Sequence, residues 1–181
     1  MTLTARDVTR GTPLAKTLEK RGTEQSVVKR PLVSTPTKVV IAALALAQVS
    51  NRDIVYDLGC GDGRVPIIAA KYFGAEGYCV ELREDLCALA EANACLNGVS
   101  DKVHIVCRDL FETDISNATV VFTYMFPSLN KKIFEKLKRE GKTGIRVITI
   151  DFPVPGEKIV RYTEVPVEGY SYPRRVFLHI T

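Results

Sequence analysis

The stretch Val55-Tyr56-Asp57-Leu58-Gly59-Cys60-Gly61-Asp62-Gly63-Arg64 puts three glycines at every second position behind an apolar run, with acids before and within them. Glycines let a backbone turn sharply and lie flat against a ligand that any side chain would hold off. A phosphate-cradling loop needs Gly-Lys-Ser/Thr, which is absent here. A dinucleotide fingerprint has its third glycine three positions after the second; here it follows after two. The loop therefore suits a ligand of another kind. Glu81, Asp109, Tyr124 and Asp151 each follow a further apolar run. With Asp57, four carboxylates thus collect on the rim where open α/β sheets bind their ligands. Glu81 stands where a carboxylate accepts the ribose hydroxyls of a nucleoside. Asp151 alone reads as a helix cap.

The elements that must place these residues alternate along the chain. Thr35 and Pro36 form an N-cap and first-turn pair for a helix reaching about Ser50. Strands are expected at Asp53–Leu58, Gly77–Glu81, Lys102–Arg108, Ala118–Met125 and Ile145–Phe152. Helices are expected at Arg64 to Phe73, at Asp85 to Leu96 (closed by Asn97-Gly98), and at Leu129–Arg139, which is basic. Two more strands, Glu157–Thr163 and Pro173–Thr181, flank a loop carrying Tyr170 and Tyr172. Alternation of this kind predicts an α/β fold, doubly wound, on a mostly parallel seven-stranded sheet. No internal repeat interrupts it.

Composition limits the function classes. The 181 residues are 46% hydrophobic and 25% charged, which is ordinary for one globular domain. The longest apolar run, Val39 to Ala47, is too short to span a bilayer, so a cytoplasmic protein without a membrane anchor is expected. Residues 1–30 carry seven Lys or Arg against three Asp or Glu, whereas residues 31–181 carry eighteen of each. The chain thus divides into a basic arm, 1–30, and a neutral domain, 31–181. A neutral domain lacks the electrostatic footprint of a nucleic-acid binder; only the arm has the charge to touch RNA or an acidic partner. The five cysteines form no metal-like cluster and read as small buried hydrophobes, with Cys79 and Cys107 the pair open to a disulfide. His104 and His179 stand alone, and neither suggests a role.

The tight Gly-x-Gly-x-Gly loop in its strand–loop–helix setting resembles the first motif of class I S-adenosylmethionine-dependent methyltransferases. The resemblance implies that Asp57, Gly59, Cys60, Gly61, Asp62 and Gly63 surround the cofactor, and that Glu81 accepts its ribose hydroxyls. It also implies that Asp109 accepts from the adenine amine while Leu82 and Leu110 pack on the ring. At the end of the fourth strand, Thr123-Tyr124-Met125-Phe126-Pro127 replaces the Asn/Asp-Pro-Pro-Tyr/Phe of enzymes that modify base amines or glutamine amides. More widely, residues 31–181 are similar to the archaeal broad-specificity protein lysine methyltransferases. The marks are Pro31-Leu32-Val33-Ser34-Thr35-Pro36 (the family has Tyr-Val-Pro-Thr-Pro), Glu112 to Val121, and Gly144-Ile145-Arg146-Val147.

That likeness implies a Rossmann-like methyltransferase sheet behind an N-terminal helix. It also implies S-adenosyl-L-methionine as cofactor, Thr35 beside it, no metal, and lysine ε-amines of proteins as acceptors, with Tyr124 shaping the lysine channel. A monomer is expected. Two alternatives are carried: a methyltransferase acting on RNA or a small molecule, and a module that binds S-adenosylmethionine without catalysis. The chain is also expected to be its own substrate. Lys16, Lys20 and Lys29 are tethered to the domain and so meet its site at millimolar effective concentration.

Overall fold

Helix α1 (Thr37–Leu46) opens the computed structural model, which describes residues 34–140 and 143–181. The arm therefore lies outside the described residues, as do residues 141–142 beyond the basic helix. Pro36, not Thr35, takes the N-cap of α1, without a side-chain cap bond. Thr35 is buried, and its carbonyl accepts from Arg64 Nη1 at 2.9 Å. The helix also stops short of Ser50. Gln48 turns into the left-handed region (φ 55°), and Arg146 Nη1 donates to the carbonyls of Ala47 and Gln48 at 2.8 and 3.2 Å.

The elements that follow are β1 (Ile54–Leu58), α2 (Arg64–Phe73), β2 (Glu76–Glu81), α3 (Glu84–Leu96), β3 (Val103–Cys107), β4 (Val120–Thr123), α4 (Pro127–Arg139), β5 (Arg146–Ile150), β6 (Arg161–Val165) and β7 (Arg174–Ile180). They form one sheet in the order β3-β2-β1-β4-β5-β7-β6. The first five strands run parallel, and β7 lies antiparallel to both β5 and β6. The order reverses between β1 and β4, and the loops after those two strands flank the cleft this creates. The α/β, doubly wound, mostly parallel seven-stranded expectation is borne out.

Strand periodicity explains why both faces are covered. Successive side chains point to opposite faces, so Val55, Val120, Phe122, Ile148 and Ile150 join α1 and α2 in one core cluster. Tyr56, Leu58, Val121 and Val147 join Ile133, Phe134 and Leu137 of α4 in another. Gly77 is needed for this packing: a Cβ there would stand 2.7 to 2.9 Å from Pro66 of α2. Two boundaries differ notably from the expectation. β4 is shorter because residues 124–126 leave the sheet to lead into α4, with Phe126 as N-cap and Pro127 in its first turn. β6 starts at Arg161 rather than Glu157, because Gly156 makes a left-handed turn (φ 81°) before the chain reaches β7.

The cysteines correct the sequence reading. Cys60 pairs with Cys79 and Cys87 with Cys107, with Cα atoms 5.2 and 5.9 Å apart; Cys95 is free and exposed. Cys79 and Cys107 do lie on neighbouring strands, but each reaches for a partner outside the sheet instead. Loops of about twenty residues closed in this way restrict the unfolded chain, each contributing about 3 kcal/mol.

His104 forms a pair with Glu76 (2.8 Å) and lies against the Tyr78 ring (4.6 Å between centroids). His179 is fully buried. Its Nε2 accepts from Val154 N–H at 3.2 Å and its Nδ1–H donates to the Lys158 carbonyl at 3.0 Å, which fixes the neutral ring. Burial, outweighing that carbonyl, holds its pKa below the ordinary histidine range. The unfolded chain takes up the proton first, near pH 6.5. Stability from neutral His179 is thus complete above that pH and lost on acidification towards the folded pKa. Thermal melts between about pH 7.5 and about pH 5.5 are expected to fall more steeply for the native chain than for His179→Gln. Parallel curves would contradict this.

Candidate active site

The chain leaves β1 through Gly59, Gly61 and Gly63, all with positive φ (79°, 56° and 77°). Those angles suit glycine, and at Gly63 space requires it too. A Cβ on Gly63 would stand 2.9 Å from Ala90 Cβ of α3, whereas one on Gly59 would meet only the movable tip of Met125. The loop is fixed from below by β2. Gly59 N–H and Cys60 N–H donate to the Val80 carbonyl at 2.8 and 3.2 Å, and the Cys60–Cys79 disulfide fastens the same junction. Cys60 therefore turns its side chain inward and offers a ligand only its backbone. Asn93 of α3 donates to the Asp62 carbonyl at 2.9 Å.

Three carboxylates surround this loop with different environments. Asp57 is 5% exposed and accepts no hydrogen bond among the described residues. Burial, then the charges of Asp62 and Glu81, push its pKa well above the usual carboxylate range. Burial acts on Asp62 too, but there Arg64 outweighs it. The guanidinium donates to both carboxylate oxygens at 2.9 and 3.1 Å from Nε, holding the pKa down. Arg64 also ties Asp62 to the Thr35 carbonyl, which brings the segment before α1 to the loop. Glu81 accepts from Leu82 N–H and Arg83 N–H through Oε1 and from Gly61 N–H through Oε2, each at 3.0 Å. A carboxylate has about four lone-pair sites, so Glu81 both builds the loop and keeps acceptor capacity for a ligand.

Beyond β3, Asp109 Oδ1 accepts from Phe111 N–H at 2.8 Å, shaping the turn. Leu110 is half-buried against the core, whereas Leu82 and Phe111 are exposed at 67% and 40%. Apolar groups left bare at the ends of β2 and β3 suit a flat ring. At the end of β4 the Tyr124 hydroxyl donates to Asp151 Oδ2 at 3.0 Å and accepts from the Arg174 guanidinium. Arg174 and Asp151 are paired at 2.6 Å. Burial raises the Tyr124 pKa, with Arg174 opposing and Asp151 adding, so the phenol keeps its proton. Asp151 is thus no helix cap. It sits at φ 60° and is anchored to β7 by Arg175 N–H at 3.1 Å.

Thr35, Asp57, Gly59 to Gly63 and Glu81 therefore gather around one loop, Asp109 and Leu110 continue the rim, and Tyr124 closes its other side. Arg64, Asn93, Met125 and Arg174 complete the site. Only Arg64 had a signal in the sequence, two residues from Asp62 inside the motif. A buried carboxylate that accepts no hydrogen bond among the described residues, two more acids beside it and a glycine-rich loop fit a ligand that is both flat and cationic. S-adenosylmethionine, a nucleoside carrying a sulfonium and an ammonium, is such a ligand.

Comparison with known proteins agrees. Residues 57–161 match the ANTKMT methyltransferase domain. The protein-lysine N-methyltransferase of Saccharolobus islandicus is 45% identical over 127 residues, covering 70% of this chain and 79% of that protein. The adenine nucleotide translocase lysine N-methyltransferase of Mus musculus is 33% identical over 128 residues, 69% of this chain; the chain spans about half, 54%, of that longer relative. Among solved structures, the RNA methyltransferase of Salinibacter ruber bound to S-adenosyl-L-homocysteine superposes with a TM-score of 0.75 at 40% identity, covering 82% of this chain and 93% of that one. The chain therefore belongs to the ANTKMT methyltransferase domain family, within the class I enzymes that use S-adenosyl-L-methionine.

Proposed function

We propose that the chain is a protein-lysine N-methyltransferase, moving the methyl group of S-adenosyl-L-methionine to lysine ε-amines. The observation that carries this reading is Tyr124. The end of β4 presents one fixed phenol rather than the Asn/Asp-Pro-Pro-Tyr/Phe that clamps planar amines and amides. A lysine amine is nucleophilic once neutral and needs no planar clamp. The 45% identity to the Saccharolobus islandicus lysine enzyme supports the same reading.

For the cofactor we assign Asp57, Gly59, Gly61, Asp62 and Gly63, with Cys60 through its backbone and Thr35 through its Arg64 link to the loop. Glu81 takes the ribose, Asp109 the adenine amine, and Leu82 and Leu110 the ring. When bound, S-adenosylmethionine supplies an electrophilic methyl group on a sulfonium. The chain's own part is positional and electrostatic. Asp57, Asp62 and Glu81 draw cationic groups towards the rim. Burial of a lysine side chain in the channel, next to the like charge of a bound sulfonium, disfavours its charged form, and water takes the proton. Tyr124, with one hydrogen bond given to Asp151 and one received from Arg174, retains a lone pair. That lone pair accepts an amine N–H and so directs the nitrogen. Orientation of this kind contributes roughly 7–11 kcal/mol to aligned reactions.

The rival acceptor is RNA, the substrate class named for the Salinibacter ruber neighbour. Incubation with methyl-labelled S-adenosylmethionine and separate pools of protein, RNA and metabolites is expected to label the protein pool. Label confined to RNA or metabolites would overturn the reading. The arm's Lys16, Lys20 and Lys29, outside the described residues, are proposed as further acceptors in the same experiment.

A further inference from the structure

A cavity of about 710 Å³ opens beside the Tyr124 cluster, walled by Asp151, Phe152, Glu164, Tyr170, Tyr172 and Arg174. Its size lies within the range of sites that enclose a ligand. Strands lie about 4.8 Å apart, so its floor at the end of β5 is one strand from Tyr124. Two of its walls, Asp151 and Arg174, are the hydrogen-bond partners of the Tyr124 hydroxyl. A third, Tyr170, packs on Arg174 (5.2 Å from guanidinium to ring centre). The cavity therefore adjoins Tyr124 through two shared residues.

Its chemistry is unusual for a rim built on carboxylates. Asp151 is paired with Arg174 at 2.6 Å, and Glu164 accepts from the Tyr162 hydroxyl and stands opposite Arg175 in the β6–β7 register. Two acids and two bases leave the lining neutral. What remains on offer is aromatic surface. Tyr172 is 82% exposed, Phe126 71% and Tyr170 48%, and the Phe126 ring leans on Phe152 at 6.2 Å. Exposed aromatics gathered on one rim mark a surface that binds polypeptide.

We propose that this cavity seats the segment of substrate polypeptide around the target lysine, and that it selects lysines with aromatic or aliphatic neighbours over those with charged ones. The proposal rests on the protein-lysine reading above. A phosphate backbone finds no net positive charge on these walls, which is why the occupant is polypeptide and not RNA.

The test uses the full chain and three peptides sharing one central lysine, flanked by Phe and Leu, by Arg, or by Glu. Binding is measured by fluorescence anisotropy without methyl donor, and methylation by mass spectrometry with it. The apolar-flanked peptide is expected to bind at least about tenfold tighter than either charged one, with little change on raising salt. Tyr172→Ala, at an exposed position, is expected to raise the KM for that peptide about tenfold, in the manner of an interface aromatic, leaving kcat and S-adenosylmethionine affinity as they were. Tyr72→Ala, an exposed aromatic at the end of α2 away from the glycine loop, changes neither constant. Preference for a charged peptide, a steep salt dependence, or a Tyr172→Ala variant with unchanged KM overturns the cavity assignment while lysine methylation stands. Binding of the apolar-flanked peptide without methylation of any peptide supports the cavity and overturns the lysine reading. RNA displacing the bound peptide overturns the choice of occupant.

Discussion

Glu81→Ala is expected to weaken S-adenosylmethionine binding at least about tenfold, read by calorimetry. The carboxylate accepts Gly61 N–H, Leu82 N–H and Arg83 N–H, and we assign its remaining acceptor capacity to the ribose. Charge-assisted hydrogen bonds contribute roughly 1.5–3 kcal/mol each, so loss of the ligand contact alone reaches that factor. Losing the Gly61 bond as well leaves the loop without its clamp, which places alanine above the minimum. Glu81→Gln keeps the size of the side chain but removes the charge. It must also turn an amide N–H₂ towards backbone donors, so it is expected to fall between the native chain and Glu81→Ala. Unchanged affinity in both variants would remove Glu81 from the cofactor site.

Tyr124→Ala is expected to lower kcat about a hundredfold while S-adenosylmethionine affinity changes little, since misplacing a reacting group by about 1 Å has a penalty of that size. Tyr124 also packs against the sheet core, so a second reading must be separated. Tyr124→Phe keeps the ring and the Asp151–Arg174 pair but deletes the hydroxyl. If the phenol directs the amine, Tyr124→Phe loses most of the same rate with its melting temperature intact. Equal loss of rate and cofactor affinity, together with a lower melting temperature, would mark a core residue instead.

The readable parts of this protein were those written in short segments. α2 falls where the sequence puts it, Arg64–Phe73, because Gly63 and Gly74 punctuate an apolar run at both ends. The glycine loop and Glu81 were legible because tight turns and strand ends constrain residue type locally. What depends on the folded arrangement was not. The disulfides join loop to strand and helix to strand, and only the sheet order decides which sulfurs meet. Arg174 reaches Tyr124 across 50 positions of sequence, a distance no spacing rule covers. Asp151 looks like any acid after a strand until β7, laid antiparallel beside β5, brings Arg174 and Arg175 to it.

The central claim, methyl transfer to lysine, is tested most directly by the identity of the modified atom. Substrate proteins and the chain itself are incubated with S-adenosylmethionine, digested and read by tandem mass spectrometry. The account predicts methyl groups on lysine ε-nitrogens, absent when S-adenosylhomocysteine is in excess. Methyl groups confined to other side chains or to RNA, or cofactor binding with no methylated product at all, would contradict it.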